Sequence, residues 1–305
     1  MLAGELRGLK IDAYICYLPF GTRSEMPSAY QHYGAVVAQF IDEPDSVVIV
    51  PEIYPNLALQ LKSRVKFIWW LSLSNYYNQK EDSRLRDYLR YLRLRLFRRR
   101  PWSIRQLSAL EHLCQSETVT DHLNRFDLRI ATLTDYINPL FFEPSSDYTD
   151  RSDVILYNEK KSKAAVELLS ISLPHLRFRG LTGLSSLELR SIYRTSKVFV
   201  DFGAHPGRDR MPREAVSQGC ILITGLRGTA GNAQDLPIPT SYKIDQTGTR
   251  FSGKFNELVT QCLTDYESRF FHDFSNFQER TLGERSIFIG QLKAILDLYQ
   301  IAPSF

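Results

Sequence analysis

The sequence predicts an α/β protein made of two doubly wound domains. Short runs rich in Val, Ile, Leu and aromatic residues alternate along the chain with stretches whose apolar residues recur at helical spacing. Runs that are apolar throughout indicate strands covered on both faces, as in parallel sheets flanked by helices. The runs fall into two series of about five, and each series is enough for one doubly wound domain.

Strands are predicted in both halves of the chain. The first series lies at 12–20, 46–52, 66–72, 111–116 and 128–133, and the second at 153–158, 176–181, 197–203, 220–225 and 241–245. Helices are predicted where apolar residues follow helical spacing, at 28–40, 161–173 and 284–299. The segment 141–153 is polar, contains Pro144 and lacks such spacing, so it is predicted to join two domains, 1–145 and 146–305.

Length and composition exclude several classes of protein. The chain has 305 residues, enough for two domains, and its net charge of +4 does not by itself indicate a polyanion binder. The four cysteines are widely separated and form no Cys-x-x-Cys motif, which favours reduced thiols in a cytoplasmic protein over a zinc site. The first residues lack the apolar core of a signal peptide, and no apolar run approaches the roughly 20 residues that cross a bilayer.

One segment, 83–102, carries eight arginines between Arg84 and Arg100. On one helical face of this segment lie Leu85, Tyr88, Leu89, Leu92 and Leu96. A basic amphipathic helix of this kind can lie on an anionic membrane surface. The alternative is a solvated helix whose leucines pack on the sheet. Nucleic acid is disfavoured as a partner, because no aromatic stacking platform or nucleic-acid motif accompanies the run.

The stretch HPGRDRMPREAVSQGC, residues 205–220, places dense charge between two predicted strands. Ligands of doubly wound sheets bind beyond the carboxyl ends of strands, and residues 204–211 form the loop at such an end. Pro212 suits the first turn of a helix, where free N–H groups and the helix dipole favour an anion. Because Arg208, Arg210 and Arg213 add mobile positive charge, the stretch predicts a phosphate site.

Glu214 follows Pro212 in what the sequence predicts to be an exposed first helical turn. A carboxylate does not suit a phosphate, but it accepts hydrogen bonds from both hydroxyls of a ribose. Together with the arginines, Glu214 predicts a site for a nucleoside diphosphate with its sugar attached. The alternative is a carboxylate that only stabilises the helix dipole.

Three pieces of the second half resemble the donor-binding domain of GT-B fold glycosyltransferases. They are 156–169, 191–220 and 225–239, and they occur in the order and spacing of that family. The resemblance implies two Rossmann-like domains that face a cleft, with a nucleotide-sugar donor held by the second domain and an acceptor by the first. In the retaining branch of the family, two glutamates separated by seven residues flank the helix after the basic loop. The second matches Glu214, but the first would fall at Pro206 and is missing.

The resemblance also implies roles for individual residues. Lys160 and Lys161 match basic residues that hold the diphosphate, although they also suit a solvated helix start. The residues 228–232 match a glycine-rich turn near the donor sugar, although they also suit a simple turn. The predicted donor site comprises Lys160, Lys161, Gly207, Arg208, Arg210, Arg213, Glu214, Gly228, Thr229, Ala230, Gly231 and Asn232.

Two residues are predicted to be catalytic. His205 lies in the basic loop, and Glu25 would act as the general base if the reaction inverts configuration. Gly21, Thr22 and Arg23 are predicted to face the acceptor, since they follow the first strand. The alternatives are a loop histidine that makes one hydrogen bond and a helix-entry carboxylate.

The expected function is that of a cytoplasmic hexosyltransferase that moves a sugar from a nucleotide-sugar donor to a glycan or lipid-linked acceptor, in polysaccharide or cell-envelope biosynthesis. No cofactor and no metal are expected, because the chain lacks an Asp-x-Asp motif. The alternatives are a catalytically silent nucleotide-sugar-binding or scaffold protein of the same fold and a sugar-phosphate epimerase of similar architecture. A nicotinamide dehydrogenase is disfavoured, because no Gly-x-Gly-x-x-Gly follows the first strand of either half.

Overall fold

The computed structural model of the chain describes residues 1–18, 25–77 and 104–303. Its strands are β1 (Tyr14–Ile15), β2 (Val36–Val37), β3 (Val47–Pro51), β4 (Val65–Trp70), β5 (Glu111–Cys114), β6 (Ile130–Thr132), β7 (Ser152–Asn158), β8 (Phe178–Leu181), β9 (Ser196–Asp201) and β10 (Ile221–Thr224). Its α-helices are α1 (Leu2–Gly8), α2 (Pro55–Gln60), α3 (Leu73–Tyr77), α4 (Glu117–Leu123), α5 (Glu159–Ser172), α6 (Ser186–Arg194), α7 (Arg210–Ser217), α8 (Phe251–Thr264), α9 (Tyr266–Asp273), α10 (Ser275–Leu282) and α11 (Glu284–Leu298).

The strands of the described residues form two four-stranded sheets and one two-stranded pair. The first sheet has the order β3-β4-β5-β6 and the second β10-β9-β7-β8, and every pairing in them is parallel. The predicted α/β class with two doubly wound halves is therefore confirmed. It follows from strands such as β9, whose last four residues are all fully buried and so belong in a sheet covered on both faces.

Three predicted elements differ from the structure. The segment 28–40 forms a 3-10 helix at Ser28–Tyr33 and then β2, because Gly34 turns the chain with a φ of +62° and two valines follow. In the described part of the run 12–20, only β1 is paired, against β2. The run 241–245 contributes a single bridge between Thr224 and Lys243, since Thr240–Tyr242 already forms a 3-10 turn.

Two predicted functional segments lie outside the described residues. They are the acceptor loop with Gly21, Thr22 and Arg23, and the basic run between Arg84 and Arg100. Both interpretations stay predictions. In the part of the chain that is described, no helix combines the length and apolar character that a membrane crossing requires.

The C-terminal helix α11 packs on the sheet of the first half. Phe288 and Leu292 of this helix share a buried cluster with Phe67 of β4 and Leu113 of β5. The opposite face of the same sheet is covered by a separate cluster that includes Trp70. The apolar spacing that predicts α11 thus reflects its burial, and the strand residues Phe67 and Leu113 that it covers lie 175 residues or more earlier in the chain.

Trp70 and His112 form a buried polar pair in the first sheet. The Trp70 indole donates to His112 Nδ1 over 2.9 Å, and His112 Nε2 lies 3.1 Å from the Leu107 carbonyl. Nδ1 must therefore accept and Nε2 donate, which defines a neutral tautomer. Burial lowers the pKa of His112 to about 4, although the bond to Leu107 opposes this shift.

We expect His112 to make the protein sensitive to acid. In the unfolded chain His112 takes up a proton below its ordinary pKa of about 6.5, whereas in the folded chain it stays neutral until the pH falls to about 4. Between pH 7 and pH 5 this difference removes about 2 kcal/mol from the free energy of unfolding. Urea unfolding at both pH values should show that His112→Gln loses less free energy of unfolding than the parent between pH 7 and pH 5. His272→Gln is the control, since His272 is exposed, and equal losses in all three proteins would contradict the assignment.

Candidate functional site

A cavity of about 380 Å³ lies between the carboxyl ends of the two four-stranded sheets. It is lined by Gln115, Asp135, Asn158, Lys161, Asp201, Arg208, Asp209, Arg210 and Met211. Gln115 and Asp135 follow β5 and β6, whereas Asn158 and Asp201 end β7 and β9. The cavity therefore occupies the position where doubly wound sheets bind ligands.

The loop 202–209 between β9 and α7 forms one wall of this cavity. Gly203 donates its N–H to Asp201 Oδ1 over 2.8 Å, and a Cβ at Gly203 would meet that same oxygen at 2.9 Å. His205 adopts a backbone φ of +44°, which residues other than glycine rarely take. The loop ends at Asp209, the residue before α7, and Pro212 occupies the first turn of α7 as predicted.

Lys161 and Arg210 place positive charge at the cavity. Lys161, in the first turn of α5, pairs through Nζ with Asp209 Oδ1 at 2.5 Å. Arg210, the first residue of α7, is exposed. Lys160 is also exposed but is not among the residues that line this cavity. The predicted lysine pair is therefore divided, with only Lys161 at the cavity.

Arg208 and Arg213 belong to a buried ion cluster, which corrects the prediction that they are mobile charges. Arg208 lies 2.7 Å from Glu284 and 3.3 Å from Asp135, and Arg213 lies 2.7 Å and 2.9 Å from the same two carboxylates. Burial opposes ionisation of Asp135, but Arg213 and Arg208 outweigh it and hold the Asp135 pKa below its usual value. Asp135 follows β6 and Glu284 begins α11, so the cluster joins both halves of the chain.

Asp235 makes a second connection between the halves. Its carboxylate accepts hydrogen bonds from Glu117 N at 2.6 Å, Thr118 N at 3.0 Å and Thr118 Oγ1 at 2.6 Å. Glu117 and Thr118 are the first residues of α4, whose N–H groups have no partner within the helix. A carboxylate is favourable at this positive end of a helix, so Asp235 fastens the segment after β10 to the first half.

No protein-family model matches the sequence, and no curated protein is significantly similar to it. Solved structures do match. Sucrose-phosphate synthase from Thermosynechococcus elongatus is similar with a TM-score of 0.62 over 90% of this chain and 76% of that chain, at 12% identity. The chain has the GT-B fold.

Two further GT-B structures match less closely. S. aureus TarM, solved as a variant in complex with UDP and alpha-GlcNAc-glycerol, has a TM-score of 0.58 at 13% identity over 85% of this chain and 56% of TarM. An E. coli structure named trehalose-6-phosphate, bound with UDP-2-fluoro glucose, has a TM-score of 0.54 at 12% identity over 86% and 74% of the two chains. At these identities the likeness establishes the fold.

In this GT-B chain Glu214 is buried, whereas the sequence predicts an exposed position for it. It is only 7% exposed, and it is not among the residues that line the cavity between the sheets. Arg210 begins α7, so Glu214 lies in the second turn on the buried side of the helix. Burial raises the pKa of Glu214 to about 7, against the opposing influence of Arg213 and Arg210.

We expect Glu214 to make stability fall as pH rises. The unfolded chain ionises this group above about 4.5, whereas the folded chain keeps it protonated up to about 7. The contribution is fully present below 4.5 and is lost as pH rises through 7, and it changes by about 2–3 kcal/mol between pH 5 and pH 8. Guanidinium unfolding of Glu214→Gln should lack this decline. A decline of the same size in parent and variant would contradict the placement.

The glycine-rich segment of this GT-B chain packs against the loop after β9. Thr229 donates its N–H to the His205 carbonyl over 3.0 Å and its hydroxyl to the Gly207 carbonyl over 2.8 Å. At Gly228, with a φ of +58°, a Cβ would meet the His205 carbonyl at 2.1 Å. Thr229 and Ala230 are buried and do not line the cavity, so this segment supports the loop 202–209 rather than projecting into the cavity.

Gly207 and Asn232 also have structural positions. A Cβ at Gly207 would lie 2.2 Å from the Leu71 carbonyl, which follows β4, so glycine permits this close approach between the halves. Asn232 Oδ1 accepts from Gln234 N at 2.7 Å and Asp235 N at 3.2 Å, and it thereby forms the turn that presents Asp235. Gly231 lies close to the Leu226 carbonyl.

The two predicted catalytic residues are not brought together. His205 is 2% exposed and lies between Asp201 and Asp209, whereas Glu25 is exposed and is not among the residues that line the cavity. Sequence reasoning missed Gln115, Asp135 and Asp201 as cavity residues. Each lies at or just beyond the end of a predicted strand, and this position is the signal that could have identified them.

Proposed function

We propose that the protein transfers a sugar from a nucleotide-activated donor to an acceptor bound in the cleft. The observation that carries this proposal is the cavity between two parallel sheets, with Lys161 and Arg210 on the side of the second half. The GT-B structures that match the chain include complexes with UDP and with UDP-2-fluoro glucose. A donor of this type would place its diphosphate against Lys161 and Arg210.

The two cations would assist departure of the nucleoside diphosphate. Transfer of the sugar leaves negative charge on the phosphate oxygens, and fixed positive groups stabilise that charge most when water is excluded. Arg210 offers a planar fork of donors that matches a phosphate, and Lys161 offers a point charge. We propose that this pair, rather than an organic cofactor or a metal bridging the diphosphate, offsets the charge.

The acceptor would approach from the first half. Gln115 and Asp135 line that side, and Asp135 is already paired with Arg208 and Arg213. Gln115 therefore offers amide donors and an acceptor oxygen to hydroxyl groups. We propose a hydroxyl-rich acceptor, a glycan or its lipid-linked form, used in polysaccharide or cell-envelope assembly. The basic run between Arg84 and Arg100 would bring such an enzyme to an anionic membrane surface.

A thermal-shift screen followed by a turnover assay tests the proposal. A nucleoside diphosphate or nucleotide sugar at a hundred times its Kd should stabilise the fold by about 2.7 kcal/mol. Release of nucleoside diphosphate from the bound donor, increased by an acceptor glycan, should follow. Binding without release would identify a catalytically silent nucleotide-sugar-binding protein. Free sugar epimer without acceptor would identify an epimerase, and absence of any nucleotide binding would contradict both nucleotide-sugar functions.

A further inference from the structure

Three potential metal ligands meet at the end of β9. Asp201 is the last residue of β9, and His205 and Asp209 follow it at intervals of four in the loop. One ligand atom from each of these residues lies within 4.8 Å of the other two. His205 Nδ1 is 3.1 Å from Asp209 Oδ2, and His205 Nε2 is 3.5 Å from Asp201 Oδ1. The three side chains thus converge beside the cavity between the sheets, which Asp201 and Asp209 line.

Each aspartate has one oxygen that the protein binds and one that it leaves without a hydrogen bond. Asp201 Oδ1 accepts from Gly203 N at 2.8 Å and Ser162 Oγ at 3.3 Å, and Asp209 Oδ1 binds Lys161. Asp201 Oδ2 and Asp209 Oδ2 are buried and make no hydrogen bond. Asp201 is itself fully buried. Asp209 Oδ2 lies 3.1 Å from His205 Nδ1, which leaves Asp201 Oδ2 as the one of these two atoms without a partner. Since such a buried oxygen is costly, it indicates a missing positive species.

We propose that Asp201, His205 and Asp209 bind one divalent first-row cation, of the class of Mn²⁺ or Zn²⁺. Carboxylate oxygens together with one imidazole suit these ions, and three protein ligands leave coordination positions for water. Hydrogen bonds also fix the orientation of both carboxylates. Lys161 donates to Asp209 Oδ1, and Ser162 Oγ and the Gly203 N–H donate to Asp201 Oδ1. Such partners orient ligands in metal sites.

The charges of the cluster agree with a cation at this position. Lys161 pairs with one of the two carboxylates, and a divalent cation would balance the other in its ionised form. Lys161 binds Asp209 Oδ1 and leaves Oδ2 for the ion. The ion would fasten the loop 202–209 to the end of β9. The ligands are spaced by four residues and not as Asp-x-Asp, so the absence of an Asp-x-Asp motif does not argue against the site.

Titration of the full chain with the metals alone tests this site. Tag-free, chelator-treated protein is titrated with MnCl₂ and with ZnCl₂ by calorimetry, and its unfolding temperature is followed. We expect one ion per chain and a higher unfolding temperature. Asp209→Asn and His205→Gln should each weaken binding by at least about 10-fold, since even supporting residues matter by 10–100-fold. Asp153→Asn is the matched control, because Asp153 forms an exposed pair with Lys197.

Failure of the folded parent to bind either ion would overturn the site, and so would unchanged binding in both ligand variants. Asp209→Asn is expected to fold because its side chain is 18% exposed, and circular dichroism checks this. If a variant unfolds, the other variant and the parent titration decide the outcome. Nucleotide is absent from these experiments, and the inference does not depend on sugar transfer. A negative result therefore leaves the proposed function standing.

Discussion

Glu284→Gln is expected to lower the free energy of unfolding by about 3–5 kcal/mol, because it breaks a buried ion cluster by removing one partner. Glu284 is 3% exposed and binds both Arg208 and Arg213 at 2.7 Å. In the variant two buried guanidinium groups share Asp135 alone. The amide can accept from one of them but carries no charge, so the desolvation of the arginines is no longer offset.

Guanidinium unfolding at pH 7 measures this effect, and Glu143→Gln is the matched control. Glu143 pairs with Arg190, but its own side chain is largely exposed, and exposed pairs contribute little because water screens them. We expect the control to unfold close to the parent. Equal midpoints for the parent, Glu143→Gln and Glu284→Gln would mean that the cluster does not hold the two halves together.

Arg210→Gln is expected to weaken nucleoside diphosphate binding by about 10–100-fold, the equivalent of one charge-assisted hydrogen bond worth 1.5–3 kcal/mol. Arg210 is exposed and lines the cavity, so its loss should not change the unfolding temperature without ligand. Calorimetric titration with the diphosphate that gives the largest thermal shift measures the change.

Arg177→Gln is the control for this experiment. Arg177 is exposed in the same half, directly before β8, and therefore lies at the end of the sheet opposite the cavity. The Arg177→Gln substitution removes the same charge from the chain as Arg210→Gln does, so any effect of net charge alone appears in both variants. Equal Kd values for the Arg177 and Arg210 variants would refute the phosphate role of Arg210.

The sequence predicts what depends on local pattern. Continuous apolar runs become β3, β4, β7 and β9, and the spacing of leucines and isoleucines becomes α5 and α11. The cavity lies where strand ends predict it. Local reasoning was wrong for residues 28–40, where Gly34 and β-branched residues override an apolar period.

Long-range pairing explains the remaining errors. Arg213 looks like a mobile cation in its own segment, but its partners Glu284 and Asp135 are 71 and 78 residues away. Glu214 has favourable sequence neighbours for an exposed turn, and only the packing of α7 places it inside. The same local sequence pattern is therefore compatible with a charged residue that contacts a ligand and with one that lies in a buried cluster.

The position of α11 has a consequence for folding during synthesis. Phe67 and Leu113 are made early, but the residues that cover them, Phe288 and Leu292, leave the ribosome at least roughly 170 residues later. At 5–20 residues per second the delay is roughly 10–35 s. A nascent first half thus leaves part of one apolar face of its sheet uncovered for that period. In the cell this interval is when a chaperone would hold the chain, and when proteases and aggregation threaten it most.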